Sequence, residues 1–179
     1  MTSCSEAVSG PEGTVVYLAL GGNLGDRVKT LRSAVERLRR VLADPDWSSI
    51  YETTPMYVLD QPHFLNLVMK GVTSMPAAEL LRTAHEIERD LGRDRTSERR
   101  NGPRPIDIDV LLYGRHVCSD AALTIPHPRL TERAFVLIPL RELEPELRDP
   151  VTAARYADIP VDGSGIVRLG TTIASRHAP

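Results

Sequence analysis

A chain of 179 residues is long enough for one domain with a real core. Its net charge of −2 excludes a large basic field for non-specific nucleic-acid binding, and no apolar run approaches membrane-spanning length. The two cysteines, Cys4 and Cys118, lack zinc-site spacing and imply no disulfide framework, so a reduced, cytoplasmic setting is expected.

The polar, Gly/Pro-punctuated start "MTSCSEAVSGPEG" has no apolar signal-peptide core and reads as a flexible extension over 1–13. A single domain is expected over 14–179. "TVVYLALGG" (14–22) is an apolar, β-branched run ending in glycines, so a buried strand. Asp26 is placed to cap a helix over 27–42, where Val28, Leu31, Val35, Leu38 and Leu42 fall at helical spacing; Pro45 ends the pattern. "WSSIYET" (47–53) reads as a second strand, followed by a proline-fixed loop over 54–62. "HFLNLVMKGVTS" (63–74) reads as a third strand, with Phe64, Asn66 and Val68 on one face and Leu65, Leu67 and Met69 on the other. Pro76 opens a second helix through Leu80, Leu81, Ala84, Ile87, Glu88 and Leu91, with Gly92 as the stop signal. A polar loop over 93–105 leads to "IDIDVLLY" (106–113), the fourth strand. "TIPHPRLTERAFVLIPLREL" (124–143) starts as a turn and becomes a helix from about Arg129. Beyond Pro150 the patterning is weak, and "GIVRLG" is a candidate edge strand. The order βαββαβ with C-terminal additions predicts an α+β, ferredoxin-like fold with a mostly antiparallel sheet and helices packed on it.

Asp107 and Asp109 share one strand face, their Cα atoms roughly 7 Å apart. Like charges on one face repel. A divalent cation removes that repulsion, and carboxylates at this spacing suit Mg²⁺ bound to phosphates. The alternative is the solvated outer face of an edge strand. Arg93, Arg95, Arg99, Arg100 and Arg104 lie in the preceding loop, opposed only by Asp94 and Glu98. Arginine forks suit phosphate, so the loop reads either as a lid over a polyphosphate or as a solvated charged loop. "GGNLGDR" (21–27) is neither a Walker A nor a GxGxxG motif and reads as a tight turn. His127, between prolines, is either a phosphate donor or a structural histidine. Phe64 and Asn66 either hold a flat heterocycle or sit in the core.

"ALGGNLGDR", "SSIYETTPM", "DQPHFLNLV", "NGPRPIDIDVLLYG" and "IPHPRLTERAFVLIPL", in this order and spacing, closely resemble the 6-hydroxymethyl-7,8-dihydropterin pyrophosphokinases of folate biosynthesis. The resemblance runs from about Tyr17 to Glu146 and implies a Mg²⁺-dependent monomer that moves pyrophosphate from ATP to the pterin hydroxymethyl group, releasing AMP. It implies that Asp107 and Asp109 hold two Mg²⁺ ions, and that Arg93 and Arg104 are catalytic. Glu88, Arg95, His127 and Arg133 match positions around ATP. Thr53, Thr54, Met56, Phe64, Asn66 and Phe135 match the pterin pocket.

Three departures stand out. Asn101 replaces a common tryptophan, "GGN" replaces the usual GSN, and a loop one residue longer leaves Arg99 and Arg100 as alternatives for the nucleotide contact. Two other readings compete. A nucleotidyltransferase would release pyrophosphate rather than AMP, but its glycine turn and DxD strand lie closer in sequence than Gly22 and Asp107. An RNA-binding module shares the βαββαβ order, but it needs exposed aromatics where "IDIDVLLY" presents acids.

Overall fold

In a computed structural model, which describes residues 13–56, 60–96, 99, 102–170 and 173, the first apolar run is the interior of the sheet. Strand β1 (Thr14–Gly22) pairs antiparallel with β4 (Phe64–Thr73) on one side and β5 (Asp107–Tyr113) on the other. The sheet continues from β4 to β3 (Tyr51–Thr53) and then to β8 (Ile166–Arg168), while β2 (Ala43–Trp47) also pairs with β4. Every pairing is antiparallel. A small hairpin, β6 (Cys118–Ser119) and β7 (Thr124–Ile125), stands apart from it. The helices are α1 (Arg27–Leu38), α2 (Ala77–Asp90) and α3 (Ala134–Leu143).

Side-chain alternation assigns the two sheet faces to different cores. Val16, Leu18, Leu20, Leu65, Leu67, Met69, Ile106, Ile108 and Val110 pack with α1 and α2 through Leu31, Val35, Leu38, Leu80, Ala84 and Ile87. Tyr17, Val68, Leu111 and Leu112 pack on the other face with Val136, Leu137, Leu140 and Tyr156. The first core is closed along the whole sheet. The second covers only part of its face, because α3 is short, and the uncovered end holds the polar residues of β4 and β5. Asp26 caps α1 as its pattern predicts, accepting a bond from the Lys29 amide at 3.0 Å. Gly92, at φ 92, follows α2 in the left-handed conformation that glycine tolerates best.

The structure corrects several expected boundaries. Helix α1 stops at Leu38, and the chain then enters β2, which runs through Pro45. Proline is tolerated there because β2 pairs on one side only and its register shifts between Ala43 and Asp46. The expected strand over 47–53 is two strands, because the Ser48 hydroxyl replaces a backbone partner by accepting from the Val68 amide at 3.0 Å. Helix α3 starts at Ala134 rather than near Arg129. Residues 128–133 instead form turns, with the Leu130 amide donating to the His127 carbonyl and the Glu132 amide to that of Arg129. Cys118 is disulfide-bonded rather than a free thiol, which corrects the expectation that no disulfide is present; two cysteines so far apart in the sequence carry no local signal that they meet. The candidate strand "GIVRLG" is β8, while most of the expected N-terminal extension, residues 1–12, lies outside the described residues.

Helix α3 is fastened to the sheet by Glu142, which accepts from the Ser49 amide at 3.0 Å, the Ser49 hydroxyl at 2.7 Å and the Tyr51 hydroxyl at 2.9 Å. Burial, then the bond and charge of Glu142, push the Tyr51 hydroxyl from 10.0 up to about 12. Burial, then the Glu144 charge, does the same for Tyr17. A raised folded-state pKa means that the stabilisation is fully present below pH 10 and is lost as pH rises towards about 12. Denaturant titrations are therefore expected to show falling stability between these two pH values, with a shallower fall in Tyr51→Phe. An equal fall in the variant would contradict this assignment.

Candidate active site

The cross-strand registers place the polar residues on one line. Asp107 of β5 faces Gly21 of β1, Gly21 faces Asn66 of β4, and Asn66 faces Tyr51 of β3. Asp107 and Asn66 are thus two strand spacings apart, roughly 10 Å. Between them Gly21 presents no side chain. A Cβ added there would run into the Asn66 Oδ1, so the glycine forms the floor of a gap wide enough for a flat ring. Thr53, next to this line, faces Phe64. One cleft gathers Thr53, Thr54, Met56, Phe64, Asn66, Arg104, Asp107, Asp109, Arg133 and Phe135 of the predicted site residues. Glu88, Arg93, Arg95 and His127 do not line it.

Glu88 is the most deeply placed of these, 1% exposed on α2. Its Oε1 accepts from Arg93 at 2.7 Å and from the Ile108 amide of β5 at 2.7 Å. Its Oε2 accepts from the Arg95 Nη2 at 2.7 Å and Nε at 2.9 Å. Arg93 also pairs with Asp107, and Arg104 meets the other Asp107 oxygen at 2.9 Å. Arg133 reaches Asp109 at 3.2 Å. Burial raises the Asp107 carboxyl, but Arg104, Arg93 and Arg95 outweigh it and hold the group below its ordinary value. Burial, then the Asp107 charge, pushes Asp109 up, against the pull of His127 and Arg133. Burial also raises Glu88, with Arg93 and the Ile108 amide opposing. Desolvation, followed by the Arg95 and Arg93 charges, lowers His85 of α2.

His127 follows the cis Ile125–Pro126 bond. Its amide donates to the Leu111 carbonyl at 2.9 Å and its Nδ1 accepts from the Arg129 amide at 3.1 Å. Accepting at Nδ1 leaves the proton on Nε2, which faces Asp109 Oδ2 at 3.8 Å. The cleft's aromatic faces carry arginines: the Arg104 guanidinium lies 5.4 Å from the Phe64 ring centre, and that of Arg133 lies 5.7 Å from Phe135. The buried Nε atoms of Arg104 and Arg133 find no partner among the described residues. Two such donors beside two carboxylates suit an anionic ligand that arrives with a cation. Among the described residues no group of three or more His, Cys, Asp or Glu could hold a metal ion. A bare carboxylate pair fits Mg²⁺, which keeps waters and takes phosphate oxygens to complete its shell.

Asn23 is a functional residue that the sequence reading missed. It is 2% exposed and holds the segment before β5: its Oδ1 accepts from the Arg104 amide at 2.8 Å, and its own amide donates to the Arg104 carbonyl at 2.9 Å. Its Nδ2 donates to Gln61 at 3.1 Å and to the Pro62 carbonyl at 3.0 Å. Gly22 lies beside it so closely against the Pro105 carbonyl that a Cβ has no room, which gives the GGN sequence a local reason. Of the ambiguous loop arginines, Arg99 accepts the Gly102 amide at its carbonyl, 2.8 Å, while Arg100 and Asn101 lie outside the described residues.

The profile of a family described as 7,8-dihydro-6-hydroxymethylpterin-pyrophosphokinase matches residues 17–145. The 2-amino-4-hydroxy-6-hydroxymethyldihydropteridine pyrophosphokinase of Bacillus subtilis is 43% identical over 142 residues, 78% of this chain and 84% of its own length. The mitochondrial folate synthesis bifunctional protein of Arabidopsis thaliana is 42% identical over 166 residues, 92% of this chain but 29% of that protein. The folic acid synthesis protein fol1 of Pneumocystis carinii is 42% identical over 146 residues, 79% of this chain and 19% of its own. The chain therefore spans less than a third of these two longer relatives. The crystal structure of Plasmodium falciparum HPPK-DHPS with pteroate superposes with a TM-score of 0.66 at 16% identity, over 80% of this chain and 43% of that one, a likeness of fold. The matched residues include every strand residue that lines the cleft, and the chain belongs to the 7,8-dihydro-6-hydroxymethylpterin-pyrophosphokinase family.

Proposed function

We propose that the protein transfers the pyrophosphoryl group of ATP to the hydroxymethyl oxygen of 6-hydroxymethyl-7,8-dihydropterin, releasing AMP, as a step of folate biosynthesis. The observation that carries this reading is the line from Asp107 across Gly21 to Asn66, which puts a carboxylate and a carboxamide at opposite sides of one cleft and supports a phosphate end and a heterocycle end.

At the heterocycle end, Asn66 Nδ2 is committed to Thr53 Oγ1 at 2.8 Å, which leaves Oδ1 over Gly21 to accept a ring N–H. Phe64 and Phe135 supply stacking faces once Arg104 and Arg133 turn towards phosphate. At the other end, Asp107 and Asp109 would hold Mg²⁺, which when bound neutralises phosphate charge and favours the deprotonated hydroxyl. The substrate hydroxyl oxygen attacks the β-phosphorus in line. The bond from that phosphorus to the oxygen shared with the α-phosphate breaks, and AMP leaves with the electron pair. The protein's part is placement and charge. Arg93, Arg104 and Arg133 give up their bonds to Asp107 and Asp109 for phosphate oxygens, Arg95 adds positive charge from its seat on Glu88, and His127 Nε2 is a further donor beside them. Glu88 positions Arg93 and Arg95 rather than touching the nucleotide.

The reading is tested by AMP release from ATP and Mg²⁺ with and without the pterin. Pterin-dependent AMP is expected, and free pyrophosphate as the product would contradict the reading. Asp109→Ala is expected to lower kcat by about 10²–10³-fold while pterin binding, followed by its fluorescence, stays within about threefold. Near-normal turnover would remove Asp109 from the metal site. Gly21→Ala is expected to raise the pterin KM about tenfold or more, because the new methyl displaces Asn66 Oδ1, and to leave ATP affinity unchanged. An ATP defect of equal size would show that Gly21 is not the floor of the pterin gap.

A further inference from the structure

We infer that residues 160–168 are the positioning element for the loop over residues 53–56, and so set affinity for the heterocycle without touching it. This rests on the proposed reading of the cleft. The segment lies beyond the residues matched by the family profile.

In the loop Thr53 and Pro55 are buried, while Thr54 and Met56 are exposed. Behind it is a second cavity of about 470 Å³, walled by Pro55, Met56, Phe135, Val161, Ser164 and Ile166. Thr53, Thr54, Pro55, Met56 and Phe135 line both this cavity and the active-site cleft. Strand β3, which leads into the loop, is paired on both sides: with β4, where Thr53 faces Phe64, and with β8, where Thr53 pairs with Ile166, Glu52 with Val167 and Tyr51 with Arg168. Hydrogen bonds of this kind contribute to how firmly a local segment is held. The ladder extends one bond into the loop, where the Thr54 amide donates to the Gly165 carbonyl at 3.1 Å.

The segment is itself held at both ends. Asp162 accepts from the Ser164 amide and hydroxyl, each at 2.9 Å, and so fixes the turn before Gly165. Arg168 donates to the Ser49 hydroxyl at 2.8 Å and pairs with Glu142 of α3 at 3.1 Å, which joins β8 to the helix that carries Phe135. The route from this frame to the ligand is short. Strand β8 sets Thr53, the Thr53 hydroxyl sets the Asn66 amide, and Asn66 faces the gap over Gly21. Gly165 is the sensitive point. Its φ of 72° suits glycine, and a Cβ there would lie 2.5 Å from Thr54 Oγ1.

The test is direct pterin binding, read by pterin fluorescence, together with steady-state KM and kcat. Gly165→Ala is expected to weaken pterin binding about tenfold, with the KM for ATP and kcat at saturation within about twofold. In a Thr54→Ala background, which removes the clashing hydroxyl but not the strain of a positive φ, the same substitution is expected to cost clearly less than in the wild-type background, about threefold to fivefold. Asp162→Ala, at an exposed position, is expected to weaken pterin binding about threefold and serves if Gly165→Ala does not fold. Unchanged pterin affinity in folded variants would overturn the inference, as would equal losses for pterin and ATP. Wild-type protein that binds no pterin would instead overturn the reading of the cleft itself.

Discussion

A carboxylate that water cannot reach needs partners, and Glu88 governs what surrounds it for that reason. At 1% exposed it would be strongly destabilising alone. It is compensated by Arg93, by both bonds from Arg95 and by the Ile108 amide. These partners join α2, the cationic loop and β5 at one point. The last bond fixes β5 against α2 and aims Asp107 and Asp109 at the open face. The first ones fold the start of the loop back over Asp107. Three acids (Glu88, Asp107, Asp109) then meet four arginines (Arg93, Arg95, Arg104, Arg133), so the cluster carries one surplus positive charge.

That balance accounts for two aspartates on one face of a strand. Their repulsion is relieved by arginines that hold the site in shape and are chemically suited to leave for phosphate. The sheet contributes the distance. Two strand spacings and one absent side chain separate the charged end from Asn66, and both ends rest on strands rather than loops. Only the third wall is a loop, and it is the one that depends on the C-terminal strand.

The parts legible in the sequence were those set by local pattern. The β1 run, the Asp26 cap, the alternation along β4 and the Asp107/Asp109 spacing each follow from neighbours a few residues apart. Asn23 was not legible because its partners are at positions 61, 62 and 104. The same holds for Gly21, read as part of a tight turn, whose importance comes from facing Asn66 and Asp107 across the sheet. Strand β2 was not legible because Pro45 read only as the end of the helical pattern, yet a strand paired on one side does not need that N–H. The late start of α3 had a tertiary cause: Arg133, extended at φ −106 before the helix, reaches Asp109 from there. The weakly patterned C-terminus gave one short strand and no sign that it backs the cleft.

The central claim is that arginines occupy the acidic pair until a nucleotide takes them. Calorimetric titration of Mg²⁺ tests it directly, with and without a non-hydrolysable ATP analogue. The account predicts weak binding, on the order of millimolar, to the nucleotide-free protein, and affinity at least about tenfold higher with the analogue present. Tight Mg²⁺ binding without nucleotide would mean that Asp107 and Asp109 are not held by Arg93, Arg104 and Arg133, and would contradict the account.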